Sequence, residues 1–505
     1  MRRATLASLC AFLAGIATLA ASSDDYAPSD LTAAQILKRS TAAEGRLEDG
    51  PYVVLARSHG GGEDDTFVTR QDGSDYRTVD TSGDFTTAYG SYHGQSWTQD
   101  ENGTVLLQSD FVAKTDPNIL ALEHPEDPKY NVKAFGITRA ANPQYVVEVN
   151  PPGGSDQFRY YDVKTMLLTQ TVTFSKDRHK HVFAYADYRT AFGETRAYHT
   201  HYTDGRNNND TDTWVTSILK DPSPAPLTIP TSRPLYTVPE GGVRIPARFT
   251  DAGIIVRVTI AGRGFDFVLD SGASTLAFDA DAAGAVGIHP YGKTTDTDGG
   301  EIDESRAYIP QMQVGPLTLG HVATSLVPLS FSSQDGKIVG LLGCDFIAGS
   351  IVGIDFGKQT VTLYPRASFN PQQVGATVHR SIDVDDGIPR VSGSIEGVAG
   401  NFLIDTGSFL TVLYPNYLHK LPNVSLSDDP APTMGTVGGA LRTHAYNVAD
   451  LTLGPIVQKS AQVTVPSTST WDILDYDGVF GRGVLKDAAI YFDYANRLVY
   501  YKPEL

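Results

Sequence analysis

The second half of this 505-residue chain contains an internal repeat, which restricts the possible folds more than any local propensity does. Residues that match at a separation of 135 positions are Ile260 and Ile395, Gly262 and Gly397, Phe267 and Phe402, and Asp270 and Asp405. Further motifs recur at nearly the same separation, so two copies of one unit cover about residues 247–365 and 388–503. Alternating apolar and polar residues, as in 254–260, predict that each copy is a β domain.

Each copy contains an apolar run that ends in Asp, a hydroxyl residue and Gly. The two segments are Phe267-Val-Leu-Asp-Ser-Gly-Ala-Ser274 and Phe402-Leu-Ile-Asp-Thr-Gly-Ser-Phe409. A single Asp after a strand is ordinarily a turn or cap residue. Two such motifs at the repeat distance predict instead that Asp270 and Asp405 face each other and share one proton, because adjacent carboxylates cannot both stay ionised. One carboxylate could then activate a water while its protonated partner polarises a carbonyl group.

The residues that follow the aspartates are predicted to support this pair. Gly272 and Gly407 allow the backbone to turn tightly, and their amides can donate to the carboxylates. Ser271 and Thr406 are expected to form hydrogen bonds to the opposite copy, which would hold the two loops together.

With these paired motifs, residues 250–503 resemble the aspartic proteases, and within them the retropepsin-like bacterial family, with two lobes fused in one chain. Leu341-Leu-Gly343 and Val479-Phe-Gly481 match the apolar-apolar-Gly strand that lies beside each catalytic loop in that family. The resemblance implies a mainly β, bilobal fold and an aspartic endopeptidase that cleaves a peptide or protein substrate. It assigns Asp270 and Asp405 as the catalytic residues, and it implies no cofactor and no metal.

The family's mobile flaps would map to Gly299-Gly300 and Gly438-Gly439. The chain departs from the pepsin pattern because no flap tyrosine of that type is identifiable and no disulfide can form within the mature protein. A monomer is expected, since the fused lobes supply both aspartates. The open alternative is a non-catalytic envelope protein that binds a peptide or carries lipid or lipoprotein.

The first half of the chain predicts a separate β-rich domain over residues 23–220. Helical spacing over residues 31–44, with Asp30 as N-cap, precedes many short alternating runs separated by turn residues. This pattern is similar to the half-barrel of the bacterial lipoprotein-carrier family, which implies a curved antiparallel sheet with a few helices and an apolar ligand. A role as propeptide is a further alternative.

Proline-rich residues 221–246 predict an extended linker between that domain and the two protease lobes. We place the first lobe at residues 247–375 and the second at residues 376–505.

Composition restricts partners and location. With 40 Lys and Arg against 58 Asp and Glu, the net charge of −18 argues against nucleic acid as a partner. A basic start, an apolar run and small residues predict a signal peptide over residues 1–22, with an uncleaved membrane anchor as the open alternative, and hence a periplasmic or secreted protein. Cys344 is then the remaining cysteine, and we expect it to be a buried small apolar residue.

Two His-x-His pairs and three glycosylation sequons complete the candidate sites. The pairs are His179 with His181 and His199 with His201, and we expect structural roles for them because no third metal ligand accompanies either pair. The sequons are at Asn102, Asn209 and Asn423.

Overall fold

The computed structural model describes residues 25–108, 117–174, 179–222, 224–225, 227–297, 301–329, 332–333, 336–385, 387–422, 424–427, 434–437, 439–467 and 476–502. The predicted signal peptide, residues 1–22, lies outside the described residues. The chain divides into two compact units, one formed by residues 1–94 and 110–229 and the other by residues 95–109 and 230–505.

The described residues form mainly β-strands, which confirms the predicted fold class. In chain order the strands up to residue 220 are β1 (Tyr26–Ala27), β2 (Pro51–Gly60), β3 (Glu63–Asp72), β4 (Asp75–Ser82), β5 (Phe85–Tyr92), β6 (Gln95–Gln99), β7 (Val105–Leu107), β8 (Val132–Thr138), β9 (Gln144–Val149), β10 (Gln157–Asp162), β11 (Leu168–Phe174), β12 (Lys180–Ala191), β13 (Glu194–Thr203) and β14 (Thr211–Lys220).

The strands after residue 220 are β15 (Val243–Ile245), β16 (Ala247–Thr250), β17 (Gly253–Ile260), β18 (Arg263–Leu269), β19 (Ala277–Asp279), β20 (Tyr291–Thr297), β21 (Glu301–Val314), β22 (Leu317–Val327), β23 (Ser332–Ser333), β24 (Gly336–Leu342), β25 (Ile351–Asp355), β26 (Thr360–Tyr364), β27 (Val378–Ser381), β28 (Asp383–Asp385), β29 (Ile388–Ile395), β30 (Val398–Asp405), β31 (Val412–Leu413), β32 (Ser425–Leu426), β33 (Met434–Thr436), β34 (Gly439–Leu441), β35 (Thr443–Leu453), β36 (Ile456–Pro466), β37 (Gly478–Gly481), β38 (Ala489–Asp493) and β39 (Leu498–Lys502). The helices are short apart from the first: α1 (Ala33–Glu44), α2 (Pro117–Glu123), α3 (Ala280–Gly284), α4 (Cys344–Ile347), α5 (Pro415–Leu418) and α6 (Arg482–Leu485), with 3₁₀ turns at Pro128–Tyr130 and Arg366–Ser368. Within the described residues, no helix combines the length and apolar character that a membrane span needs.

The first unit contains an antiparallel sheet in the order β1-β8-β9-β10-β11-β12-β13-β14-β2-β3-β4-β5. Side chains alternate between its faces, so that Tyr145 and Val147 of β9 pack in the same cluster as Ile36 of α1, whereas Val146 packs with Tyr160 on the opposite face.

The predicted N-cap of α1 is wrong by two residues. Thr32 caps the helix, because its hydroxyl accepts from the Gln35 amide (3.2 Å) while the Gln35 side chain accepts from the Thr32 amide (2.9 Å). Asp30 instead accepts a hydrogen bond from the Tyr145 hydroxyl at 2.9 Å. The capping box provides two reciprocal bonds, whereas an Asp at residue 30 lies too far from the first turn.

The second unit contains two closed six-stranded barrels, one for each copy of the repeat. The first runs β17-β18-β24-β19-β22-β21 and closes by pairing of β17 with β21; the second runs β29-β30-β37-β31-β36-β35 and closes by pairing of β29 with β35. A six-stranded sheet, β15-β26-β25-β38-β39-β27, takes strands from both copies. This shared sheet and one continuous buried core join the two lobes.

Two segments lie in the second unit in a way that the sequence analysis did not anticipate. The β6–β7 hairpin belongs to residues 95–109, which group with this unit although we placed them in the N-terminal domain. Its Trp97 is 1% exposed. Within the proline-rich segment, Tyr236 is buried and donates from its hydroxyl to the Phe346 carbonyl at 2.7 Å, and β15 pairs with β26. The end of that segment is therefore structured rather than a free linker.

Candidate active site

Two buried strand ends carry the predicted aspartates. In the first lobe, β18 runs parallel to β24, with Leu269 opposite Leu342, and the Asp270 amide donates to the Leu342 carbonyl at 3.0 Å. In the second lobe, β30 runs parallel to β37, with Asp405 opposite Gly481. The apolar residues before each aspartate are buried, since Leu269 and Ile404 are both 0% exposed. The apolar runs thus fix each carboxylate at the end of a core strand.

Hydrogen bonds between the lobes interlock the two loops. The Ser271 hydroxyl donates to the Ile404 carbonyl (2.6 Å) and accepts from the Thr406 amide (3.0 Å). Reciprocally, the Thr406 hydroxyl donates to the Leu269 carbonyl (2.8 Å) and accepts from the Ser271 amide (2.9 Å). Both hydroxyl residues are fully buried, so these four bonds are shielded from water.

The two glycines are required for close approach of the loops. A Cβ atom on Gly272 would lie 2.7 Å from Cγ of Asp405, and one on Gly407 would lie 2.5 Å from Cγ of Asp270. The Gly272 amide donates to Oδ1 of Asp270 (2.8 Å), and the Gly407 amide donates to Oδ1 of Asp405 (2.7 Å). Each glycine therefore stabilises its own carboxylate while leaving room for the opposite one.

The Asp270 and Asp405 carboxyl groups interact across the two loops, since each lies against the glycine that follows the other aspartate. Burial raises the pKa of Asp270 well above its ordinary value, and the charge of Asp405 and the hydrogen bond to it raise this pKa further. Amide donation from Gly272 and Ala273 acts in the opposite direction but is smaller. A carboxyl group with a raised pKa beside a second carboxylate is an arrangement that can hold one proton between two groups.

Most of the predicted flap glycines lie outside the described residues, namely Gly299, Gly300 and Gly438. The strands around them form hairpins: β20 pairs with β21 up to Thr297 and Glu301, and β33 pairs with β34. Gly439 begins β34 with a φ of +142°, a backbone conformation that favours glycine. The flap role of these glycines stays a prediction.

Two buried residues near the pair were missed by the sequence analysis. Arg482 is 6% exposed, and its charge acts on both Asp405 and Asp270. Tyr494 is 2% exposed, and the charges of both aspartates contribute to its raised pKa after burial and Cys344. The signal was present in the repeat, because Arg482 and Tyr494 occupy the positions of Cys344 and Phe356 in the first copy.

The histidines of the two pairs have local partners, and His199 approaches the same Asp212 oxygen as His201, with its Nε2 at 3.6 Å. His181 contacts the Tyr202 hydroxyl through Nδ1 (2.9 Å), and His201 contacts Asp212 through Nδ1 (3.0 Å). Burial lowers the pKa of His199, which stacks on Trp214, to about 4. Among the residues that the structure describes, no group of three or more His, Cys, Asp or Glu side chains is arranged to hold a metal ion.

The other singled-out residues have local partners. Asn102 donates to the Asp345 carboxylate (2.9 Å) and the Ala323 carbonyl (3.0 Å), which occupies its amide group in the folded chain. Asn209 donates to Asp204 at 2.7 Å, and Asn423 lies outside the described residues. Cys344 is a buried free thiol whose pKa is raised by burial.

The comparison with protein families supplies the decisive observation for the second unit. The aspartyl protease family matches residues 256–346 and 391–485, one segment in each lobe, and these segments contain Asp270 and Asp405. The resemblance to the aspartic proteases is confirmed. The aspartyl protease segments include the loops, both apolar-apolar-Gly strands, most of the short helix α4 and all of α6.

Solved structures similar to parts of the chain include a putative outer membrane lipoprotein-sorting protein domain from Vibrio parahaemolyticus, with 12% identity and a TM-score of 0.29, covering 38% of this chain and 95% of that chain. A LolA superfamily protein from Nitrosomonas europaea has 12% identity and a TM-score of 0.28, covering 38% and 96%. Basic 7S globulin from soybean has 11% identity and a TM-score of 0.31, covering 52% and 94%. The comparison with curated proteins found no match.

Proposed function

We propose that this chain is an aspartic endopeptidase in which Asp270 and Asp405 share one proton. The carboxylate form of the pair removes a proton from water, whose oxygen attacks the peptide carbonyl carbon. The protonated aspartate donates to the carbonyl oxygen, which gives a tetrahedral gem-diol. As the C–N bond breaks, the proton gained from water is delivered to the leaving amine, and the gem-diol hydroxyl returns a proton to the aspartate that had donated one. The proposed reaction returns the pair to its singly protonated state and requires neither a metal nor a cofactor.

The observation that carries this proposal is the interlocked arrangement of the two loops. Glycine is required at residues 272 and 407 because the opposite carboxylate lies where a Cβ atom would be. A purely structural turn would not need that space. The raised pKa of Asp270 supports the same role, since a carboxyl group that holds its proton more tightly than usual can act as an acid.

The test is peptide cleavage by the full chain and by Asp270→Asn and Asp405→Asn variants, followed by mass spectrometry of new termini between pH 3 and 8. Each variant should lose at least about a hundredfold in rate while its thermal unfolding remains cooperative. Asp266→Asn is the matched control, because Asp266 lies on the same strand but pairs with Arg248 and Arg257. Binding of peptide without cleavage by the wild type would favour the alternative, a non-catalytic peptide-binding protein.

A second function, binding of an apolar ligand by the first unit, is favoured by a row of aromatic rings on one face of its sheet. Tyr26, Phe135, Phe158 and Phe174 contact in succession, with ring centroids 5.0, 5.7 and 6.4 Å apart. Phe135 is 45% exposed, which is unusual for so large an apolar side chain within such a row.

This ligand proposal predicts that organic extraction of the purified full chain releases acyl lipids in stoichiometric amount. A Phe135→Asp variant should carry several-fold less lipid, since a charge would lie among the rings. Val457→Asp, at an exposed apolar residue of the second unit, is the control and should carry the wild-type amount. Lipid-free wild-type protein would dispose of the idea. We propose an exported, periplasmic or secreted location for both functions.

A further inference from the structure

The residues beside the two aspartates differ, although the backbone around them is repeated. Asp405 lies opposite Gly481, and the next residue along that chain segment is Arg482. In the first lobe, Leu269 lies opposite Leu342, so that Asp270 is level with Gly343 and the next residue is Cys344. One aspartate therefore has a cationic residue at this position, and the other has a thiol.

Contacts across the lobes show that these two positions are equivalent in space as well as in sequence. Arg482 donates from Nη1 to the Thr250 carbonyl (3.0 Å) and from Nη2 to the Asp251 carbonyl (2.9 Å), in the turn between β16 and β17. Cys344 lies against Gly387 in the corresponding turn between β28 and β29, where a Cβ atom would be 2.7 Å from Sγ. Each side chain thus contacts the equivalent turn of the lobe opposite its own.

The guanidinium of Arg482 is buried without a carboxylate in direct contact. Its partners are the two carbonyl groups, its Nε has no hydrogen-bond partner, and no carboxylate forms an ion pair with it in the described part of the chain. Its backbone amide donates to the Ser408 carbonyl (2.8 Å), and its guanidinium lies 5.8 Å from the ring centre of Phe409. Arg482 therefore packs against the loop that carries Asp405.

The charged groups around Arg482 do not act on it equally. The charge of Asp405 acts on Arg482 more strongly than the charges of Asp251 and Asp270 do. The Tyr494 hydroxyl also lies near the pair, and the Cys344 thiol lies near Tyr494, but burial raises the pKa of both, so they are neutral near neutral pH. Arg482 is then the cation among these groups.

We propose that Arg482 is a positioning residue that makes the two aspartates inequivalent: its buried charge stabilises the Asp405 carboxylate and leaves the shared proton on Asp270. This inference rests on the proposed function and assigns the roles within it. Asp405 is the base toward water, and Asp270 is the acid toward the substrate carbonyl. In a pair related by an exact two-fold axis, the shared proton would be equally stable on either carboxyl group. A cation close to one of the two groups makes these two positions of the proton unequal in free energy.

The first test uses the pH dependence of kcat/KM for peptide cleavage. Arg482→Gln retains donors for the two carbonyl groups but removes the charge, and we expect its acidic limb to move upward by about one pH unit. Arg482→Lys retains the charge and should stay close to the wild-type profile. Arg366→Met is the control, because it removes another partly buried guanidinium that faces Asp493 and Tyr236 instead. An unchanged acidic limb in Arg482→Gln, or an equal shift in Arg482→Lys, would overturn the proposal.

The second test needs neither activity nor a folded Arg482 variant. At pH 7, Asp270→Asn should unfold at a higher temperature than Asp405→Asn, because it imitates the protonated Asp270 and keeps the carboxylate beside Arg482. Asp405→Asn instead leaves a buried cation without its compensating charge. Equal or reversed unfolding temperatures contradict the inference. If the expected order is found but the wild type cleaves no peptide at any pH, the proposed function fails while the proton assignment stands.

Discussion

Two buried hydroxyl groups, rather than the aspartates themselves, connect the loops of the candidate site. Ser271 and Thr406 each donate to a carbonyl and accept from an amide of the opposite lobe. The sequence predicted this pairing, because equivalent residues of a two-fold repeat meet near its axis. It did not predict the role that we propose for Arg482, since the repeat identifies residues that the two copies share, and the copies differ at this position.

Thr406→Ala should destabilise the chain by about 2–4 kcal/mol, because the Leu269 carbonyl and the Ser271 amide would both lose their partner inside the protein. Cleavage should fall as well, since the two carboxylates would no longer be held together. Thr406→Ser keeps the hydroxyl and is the matched control. Chemical unfolding and kcat measure the two effects, and equal stability of the Ala and Ser variants would contradict this account.

At the scale of elements, the β6–β7 hairpin is the main departure from the sequence analysis. Alternation identified short strands in this region, but it cannot tell which unit a hairpin packs on. Contacts of the hairpin turn show that it packs on the second unit. Asn102 forms hydrogen bonds to Asp345 and Ala323, and the Arg306 guanidinium forms an ion pair with Glu101 at 3.1 Å. An isolated fragment that starts at residue 235 would lack these contacts, so it is a poor test of whether the first half acts as a propeptide.

Two carboxyl groups make the hairpin contact dependent on pH. Burial and the charge of Asp345 raise the pKa of Asp100 to about 8, and burial raises the pKa of Asp345 to about 6. Both pKa values are raised above those of the unfolded chain. The free energy that stabilises the hairpin contact is therefore largest below about pH 4 and falls as the pH rises through 6 and 8.

Asp100→Asn removes one ionisation and retains the oxygen that accepts from the Thr104 amide at 2.7 Å. At pH 8, we expect amide hydrogen exchange in residues 95–107 to be about tenfold slower in this variant than in the wild type. Asp49→Asn, at an exposed turn, is the control. Equal exchange in the Asp100 variant and the wild type at pH 8 would show that the Asp100 charge does not weaken the hairpin.

At the scale of the whole molecule, the repeat predicted two β lobes, and the structure adds the sheet that joins them. Strands β25 and β38 pair at its centre, with Gly353 opposite Tyr491, so equivalent strands of the two copies meet. Alternation of apolar and polar residues does not predict whether these strands form one shared sheet or two separate sheets, because the same side chains are buried in either arrangement. Since one chain supplies both aspartates, we expect the site to be complete in a monomer.

The central claim is that Asp270 and Asp405 of one chain act as a unit. Measuring kcat/KM for the wild type, Asp270→Asn, Asp405→Asn and the double variant tests it most directly. We expect each single variant to lose nearly all activity, the double variant to lose no more than a single one, and the wild-type rate per chain to be independent of protein concentration. Losses that multiply in the double variant, or a single variant that keeps substantial activity, would contradict the account.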